Sequence, residues 1–535
     1  MSPPPARYTE FLESQRQIVP TTTLGLFLLI AAVLIAAHAP LLRLPYFWDE
    51  AGYYIPAARD VLSGSLIPYS TPSNAHPPLV LAWLALSWKV FGYNTITTRC
   101  AMLLLAAFSL VGFFRLARTV SNTTVAIAST LLTAIYPVWF AQSSLALIDL
   151  PAAGLLFWGL EAHLRRHRTL SAFWFALAAL AKETAILMPI ALLCWELLAQ
   201  RLRRLRLNHR LSSRGILALL FPLASLALWY AYHFARTGHV FGNAEFFRYN
   251  VQATLHPLRI FLALLLRLWQ TFGYLNLYLL TLACILAMRQ PAIEENTGPR
   301  PRINPYIQFS FLAIAAIYLL ALSVIGGAVL ARYILPIIPL VILVCVSTIW
   351  RRLRLWKAVL AIAGGAFVAA LFINPPYGFS PEDNLAYGDY IRMHERACTF
   401  LQHRYPRARV LTAWPASDEL THPYLGYVGS TFRVVRIEDF SLEQVTGAAS
   451  LTSQFDAAFL FSTKFEPPYS FFDRWKRWQK WKSRYFGYHR DLPPEAAAAL
   501  LGGNVLYRES RRGQWVGVIE LQKIEQAQME ASAGH

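Results

Sequence analysis

The chain reads as an all-α polytopic membrane domain of about 11 spanning helices followed by a small α/β domain, and three observations predict this. The first is composition. Of 535 residues, 56% are hydrophobic and only 15% charged, against about 25% charged in soluble domains. Mean hydropathy is +0.38. The second is a series of apolar runs, each near the roughly 20 residues that a bilayer requires. The third is a change of pattern after Asn374, where short strand-like runs alternate with helical ones.

Residues 1–20 are polar and mixed in charge, with no small-residue cleavage site after the apolar run that follows, so they are expected to stay in the cytoplasm. The expected spans are Thr21–Leu41, Thr98–Ala117, Thr123–Ala141, Leu147–His163, Leu170–Lys182, Thr184–Ala199, Ile216–Phe234, Ile260–Met288, Ile307–Ile325, Ala331–Trp350 and Ala358–Ile373. The fifth and sixth are short and closely joined, which suggests a tight hairpin. Pro78–Gly92 is shorter, opens with Pro-Pro and contains Lys89, so it is expected to lie in the interface.

The net charge of +19 is explained by topology rather than by a nucleic-acid partner. Alternate connections collect arginine: Arg115 and Arg118, then Arg165, Arg166 and Arg168, then Arg201 to Arg214, then Arg289, Arg300 and Arg302, then Arg351 to Lys357. Cationic loops remain cytoplasmic. This bias puts the N-terminus inside the cell. The first outer loop, 42–97, and residues 375–535 then fall outside, as expected of a bacterial inner-membrane protein with a periplasmic C-terminal domain. The membrane domain occupies 21–374. Cys398 stands alone in the polar region, and no CxxC or HExxH spacing occurs.

In the C-terminal region Tyr387–Tyr405 reads as a helix. Arg409–Ala413, Phe432–Ile437 and Ala457–Phe461 read as strands, and two more are expected in Gly503–Leu521. Phe471–Arg490 interleaves tryptophan and tyrosine with lysine and arginine. That stripe suits an anionic membrane surface, the reading favoured here over one packed helix face.

The chemistry is expected on the outer face. Asp49 and Glu50 follow the first span, among Tyr46, Phe47, Trp48, Tyr53 and Tyr54. A carboxylate pair at a membrane boundary suggests catalysis or cation binding, or else an exposed acidic turn beside an aromatic belt. Asp149 has wholly apolar neighbours, where an unpaired carboxylate is costly; it performs chemistry or pairs with Lys182. His76, Glu183, Arg236, Arg248, Arg259, Arg332 and Tyr333 are expected at the same depth. Taken singly, His76 serves as a helix cap, while Arg236 and Arg259 snorkel to the interface. Together these groups point to a site for a charged substrate.

These residues carry a resemblance. Asp49-Glu50, His76-Pro-Pro-Leu79, Gly92 with Arg99, Asp149-Leu-Pro151, Lys182-Glu-Thr184 and Arg332-Tyr-Ile-Leu-Pro336, in this order, resemble the GT-C glycosyltransferases. The likeness is to the protein O-mannosyltransferase and aminoarabinose-transferase-like group, which includes rhizobial lipopolysaccharide galacturonosyltransferases. It runs from the first span to the tenth. It implies an inverting enzyme that moves a sugar from a polyprenyl-phosphate donor to a hydroxyl acceptor on a lipid, glycan or protein. By resemblance Asp49 is the base, with Glu50 and Asp149 beside it. Lys182, Arg332, Tyr333, Arg248 and Arg259 would face the donor phosphate. The resemblance leaves open whether Asp149 orients the acceptor or joins Glu50 and His76 in holding a divalent cation. Where relatives carry lysine before Pro-Pro, this chain has His76, only partly charged at neutral pH; His76 and Glu183 are thus assigned to metal or acceptor. One rival is a transporter or flippase of an anionic lipid, since intramembrane charges also mark transport paths. Against it, the ionisable groups cluster at one face and no inverted repeat is visible. The other rival, a structural module with inert spans, leaves Asp49 and Asp149 unexplained.

Overall fold

The structure, a computed structural model, describes residues 20–201, 212–243, 248, 254–296, 298–465, 467 and 474–521. Expectations for residues 1–19, for 202–211 and for 471–473 lie outside the described residues.

Each expected span contains a helix, but they differ in length. Among the described residues five helices are long and apolar enough to cross a membrane: Thr95–Val120, Glu183–Arg201, Ser213–Thr237, Pro257–Ala287 and Pro305–Val324. The other six runs are shorter or interrupted. Tyr136 is extended before Pro137 and divides the third run into Thr123–Ile135 and Pro137–Gln142. The eighth run, Pro257–Ala287, reaches spanning length only as two helices in series across a kink. Leu275 and Asn276 take positive φ and separate Pro257–Phe272 from Leu277–Ala287. Asn94 and Asn122 start their helices by accepting the Thr97 and Val125 N–H groups at 2.8 and 2.9 Å. Leu79–Phe91 is a 13-residue helix whose Val80, Leu81, Leu84 and Trp88 are buried.

After Phe372 the helix Ala386–Arg404 leads into a five-stranded sheet. Its strands are β1 (Arg409–Ala413), β2 (Arg433–Ile437), β3 (Ala457–Phe461), β4 (Gly503–Arg511) and β5 (Gln514–Leu521). The order is β2-β1-β3-β5-β4. β1 is parallel to both β2 and β3, whereas β5 is antiparallel to β3 and β4. Every residue of β3 is buried, as its unbroken apolar sequence requires of a central strand covered on both faces.

The sheet is not a separate bead. One continuous apolar core contains Tyr46, Phe47, Tyr54 and Leu84 of the first loop, Ala141 and Leu145 to Ile148 between the spans, and Tyr390, Leu411, Phe459 and Val518 of the sheet domain. The first loop is therefore held between membrane helices and sheet.

Candidate active site

The loop after the first helix ends in a tight turn. Trp48 has a positive φ of 44°, and Glu50–Tyr54 form one wide helical turn that runs into Ile55–Leu62. Neighbours on a helical turn point about 100° apart, so the two carboxylates separate. Glu50 turns inward with no exposure. It pairs with the buried Arg99, accepts the Phe47 N–H at 2.8 Å and accepts the Ala146 N–H. Arg99 also donates to Ser144 O at 2.9 Å and Pro45 O at 2.8 Å. This network stitches loop to helix; a catalytic or metal-holding Glu50 does not fit it. Asp49 points the other way and keeps 29% of its side chain exposed.

Arg332 sits in the short helical turn Ala331–Ile334. Its guanidinium pairs with Asp49 and with Glu382, and its Nε lies 3.3 Å from Asp149. Asp149 also holds Lys182. The Lys182 ammonium lies 4.1 Å from the centre of the Tyr333 ring, and Arg332 and Arg267 lie 5.5 and 5.6 Å from it. Asp149 and Lys182 are buried beneath Arg332, on a small recess rather than on the main cavity wall. Two cations, Arg332 and Lys182, thus face three carboxylates. Burial pushes the Glu382 carboxyl up to about 8; Arg332 pulls against this, while Asp49, Asp383 and Asp149 add to it. Burial likewise lifts Asp383 to about 6, against the Tyr274 hydroxyl that donates to it at 2.7 Å.

Above this cluster opens a cavity of about 900 Å³. The membrane domain lines it with Asp49, Tyr54, His76, Arg332 and Tyr333, and Glu382 joins them from the segment just past the last membrane helix. The sheet domain supplies Trp414, Asp418, His422, Arg436 and Lys464. A methyl group on Gly52 would run into the Trp414 indole, so a bare backbone is what lets the two walls meet.

The remaining expected residues divide. His76 lines the cavity, and its Nδ1 lies 2.9 Å from Glu183, so these two engage each other. Among the described residues no three His, Cys, Asp or Glu side chains gather to hold a metal ion, and the trio Asp149, Glu50 and His76 is not assembled. Arg259 is buried and donates to Ser323 O at 3.1 Å and to Gly326 O, away from the cavity wall. Arg248 and Arg236 are exposed. Sequence reasoning missed Glu382, Trp414 and Arg267. Glu382 lies past the last apolar run, in a stretch that looks like a linker. Arg267, a lone cation inside the eighth run, was a legible signal, because such a charge is costly without a role.

Residues 75–230 match the family described as dolichyl-phosphate-mannose-protein mannosyltransferase. ArnT from Cupriavidus metallidurans bound to undecaprenyl phosphate superposes with TM-score 0.52 at 15% identity, covering 94% of this chain and 98% of that one. The fold is GT-C, the fold of ArnT. Apo ArnT from the same organism gives TM-score 0.54 at 14% identity, with 93% and 98% covered. The GT-C likeness therefore extends past the family match, through the last helices and into the sheet domain. No curated protein matches this chain.

Proposed function

We propose that this protein is an inverting glycosyltransferase that takes a sugar from a polyprenyl-phosphate donor at the outer face of a bacterial inner membrane. The observation that carries this reading is the shared guanidinium: Arg332 links Asp49, open to the cavity, to the buried Asp149 and Lys182. ArnT, whose fold it shares, has been crystallised with undecaprenyl phosphate. That ligand has the chemistry of the leaving group required here.

In the proposed reaction the acceptor hydroxyl attacks the anomeric carbon from the Asp49 side. A new C–O bond forms as the bond from that carbon to the phosphate oxygen breaks. The hydroxyl proton passes to the Asp49 carboxylate, and the electron pair of the broken bond leaves on polyprenyl phosphate, which gains one negative charge. Arg332 faces that charge as it develops. Lys182 offsets Asp149, so Arg332 is not consumed by the buried carboxylate. Tyr333 holds both cations by its ring face. Glu183 orients the His76 ring on the cavity wall.

The test is release of polyprenyl phosphate from labelled polyprenyl-phosphate sugar by the protein in lipid nanodiscs. Asp49→Asn is expected to slow release by about 10²–10⁴-fold, the range for losing a general base. Undiminished release by that variant would remove the assignment of the base.

A further inference from the structure

The sheet domain turns the carboxyl ends of its parallel strands toward the cavity. β1 runs to β2 on one side through the helix Ala416–Thr421, and the chain then returns through Leu442–Ala449 to place β3 on the other side of β1. The strand order reverses between β1 and β3. In open sheets with parallel strands, the crevice outside the carboxyl ends at such a reversal is where ligands bind. Here Trp414 directly follows β1, Ser462 to Lys464 directly follow β3, and Arg436 is the penultimate residue of β2; all line the same cavity as Asp49.

We propose that this end of the sheet is the acceptor subsite, and that the acceptor is a carbohydrate whose hydroxyl Trp414, Asp418 and Arg436 direct at Asp49. This rests on the glycosyl-transfer reading above. Three features select a sugar. Flat aromatic side chains stand beside polar groups of both signs: Trp48 and Trp414 are edge-on at 5.5 Å, with Asp418, His422 and Arg436 on the same wall. A sugar ring offers an apolar C–H face for such rings and hydroxyls for such polar groups. Two buried polar atoms of the cavity wall, the Tyr390 hydroxyl and Glu382 Oε1, have no hydrogen-bond partner among the described residues. Buried polar atoms ordinarily have partners, and sugar hydroxyls would supply them. Finally, the sheet residues that line the wall follow β1 and β3 or lie near the end of β2, whereas an extended peptide pairs along the length of a strand edge.

The experiment uses the full protein in nanodiscs with labelled polyprenyl-phosphate sugar. Two acceptor probes are compared: a delipidated envelope core oligosaccharide and a Ser/Thr-rich peptide. The oligosaccharide is expected to accelerate polyprenyl phosphate release and to become labelled, while the peptide does neither. Arg436→Gln and Asp418→Asn are expected to raise the half-saturating oligosaccharide concentration about tenfold while the maximal rate changes less than twofold. Labelling of the peptide, or oligosaccharide saturation unmoved in both variants, overturns the subsite. If neither variant folds, the wild-type comparison of the two probes decides. No release under any condition instead overturns the glycosyl-transfer reading on which the subsite rests.

Discussion

At the scale of single residues, Arg332 is the group on which the others depend. A guanidinium serves several carboxylates through a planar set of donors, whereas an ammonium is a point charge. Arg332→Lys is therefore expected to lower kcat/KM for donor by at least about a hundredfold, the range for losing one charge-stabilising donor. Release kinetics with Arg332→Lys and wild type side by side check this. Glu382 sets the pH response. Its carboxyl is held protonated up to about pH 8, while in an unfolded chain it ionises near 4.5. Between those values the folded protein binds the extra proton, so this group makes stability fall as pH rises across that window. Donor phosphate brings a further negative charge, so donor affinity is expected to weaken as pH rises through about 8. Glu382→Gln should flatten that limb of the profile, and an unchanged pH dependence in Glu382→Gln would show that another group controls it.

Elements determine which side chains meet. Asp49 and Glu50 are adjacent in sequence, yet one helical turn sends them to opposite duties. Glu50 belongs to a buried ion pair with Arg99. Removing one partner of such a pair leaves the other charged and buried, at about 3–5 kcal/mol. Glu50→Gln is expected to lower the melting temperature by several degrees in a detergent-solubilised thermal scan, more than Asp49→Asn does. Gly52 belongs to the same turn. Gly52→Ala forces Trp414 away from the loop, with an overpacking cost of about 1–3 kcal/mol. Trp414 fluorescence, compared between wild type and the alanine variant, reads that displacement.

For the whole molecule, the shared core makes the sheet domain a structural part of the site. Without residues 375–535, Phe47 would lose the Tyr387 and Tyr390 rings, Tyr46 O would lose the Tyr427 hydroxyl, and Arg332 would lose Glu382. Deletion of that segment is expected to yield aggregated membrane protein rather than an active core, as size-exclusion chromatography in mild detergent would show. A monodisperse, catalytically competent truncation would refute the shared-core argument.

Much of this architecture was legible in the sequence, and the reasons differ by feature. Local rules act over a few residues, so long apolar runs located the helices and short strand-like runs located all five strands; β1 and β3 agree to the residue. The cost of buried charge marked Asp149, the place at a membrane boundary marked Asp49, and the family resemblance marked Lys182 and Arg332, before any contact was known. Tertiary structure alone decided that Glu50 serves Arg99, that Arg259 is occupied by loop carbonyls, and that Glu382 and Trp414 enter the cavity. Glu382 is 333 positions from Asp49 in the chain. No periodicity or spacing links such residues, because only the packing of helices against the sheet brings their charges to one guanidinium.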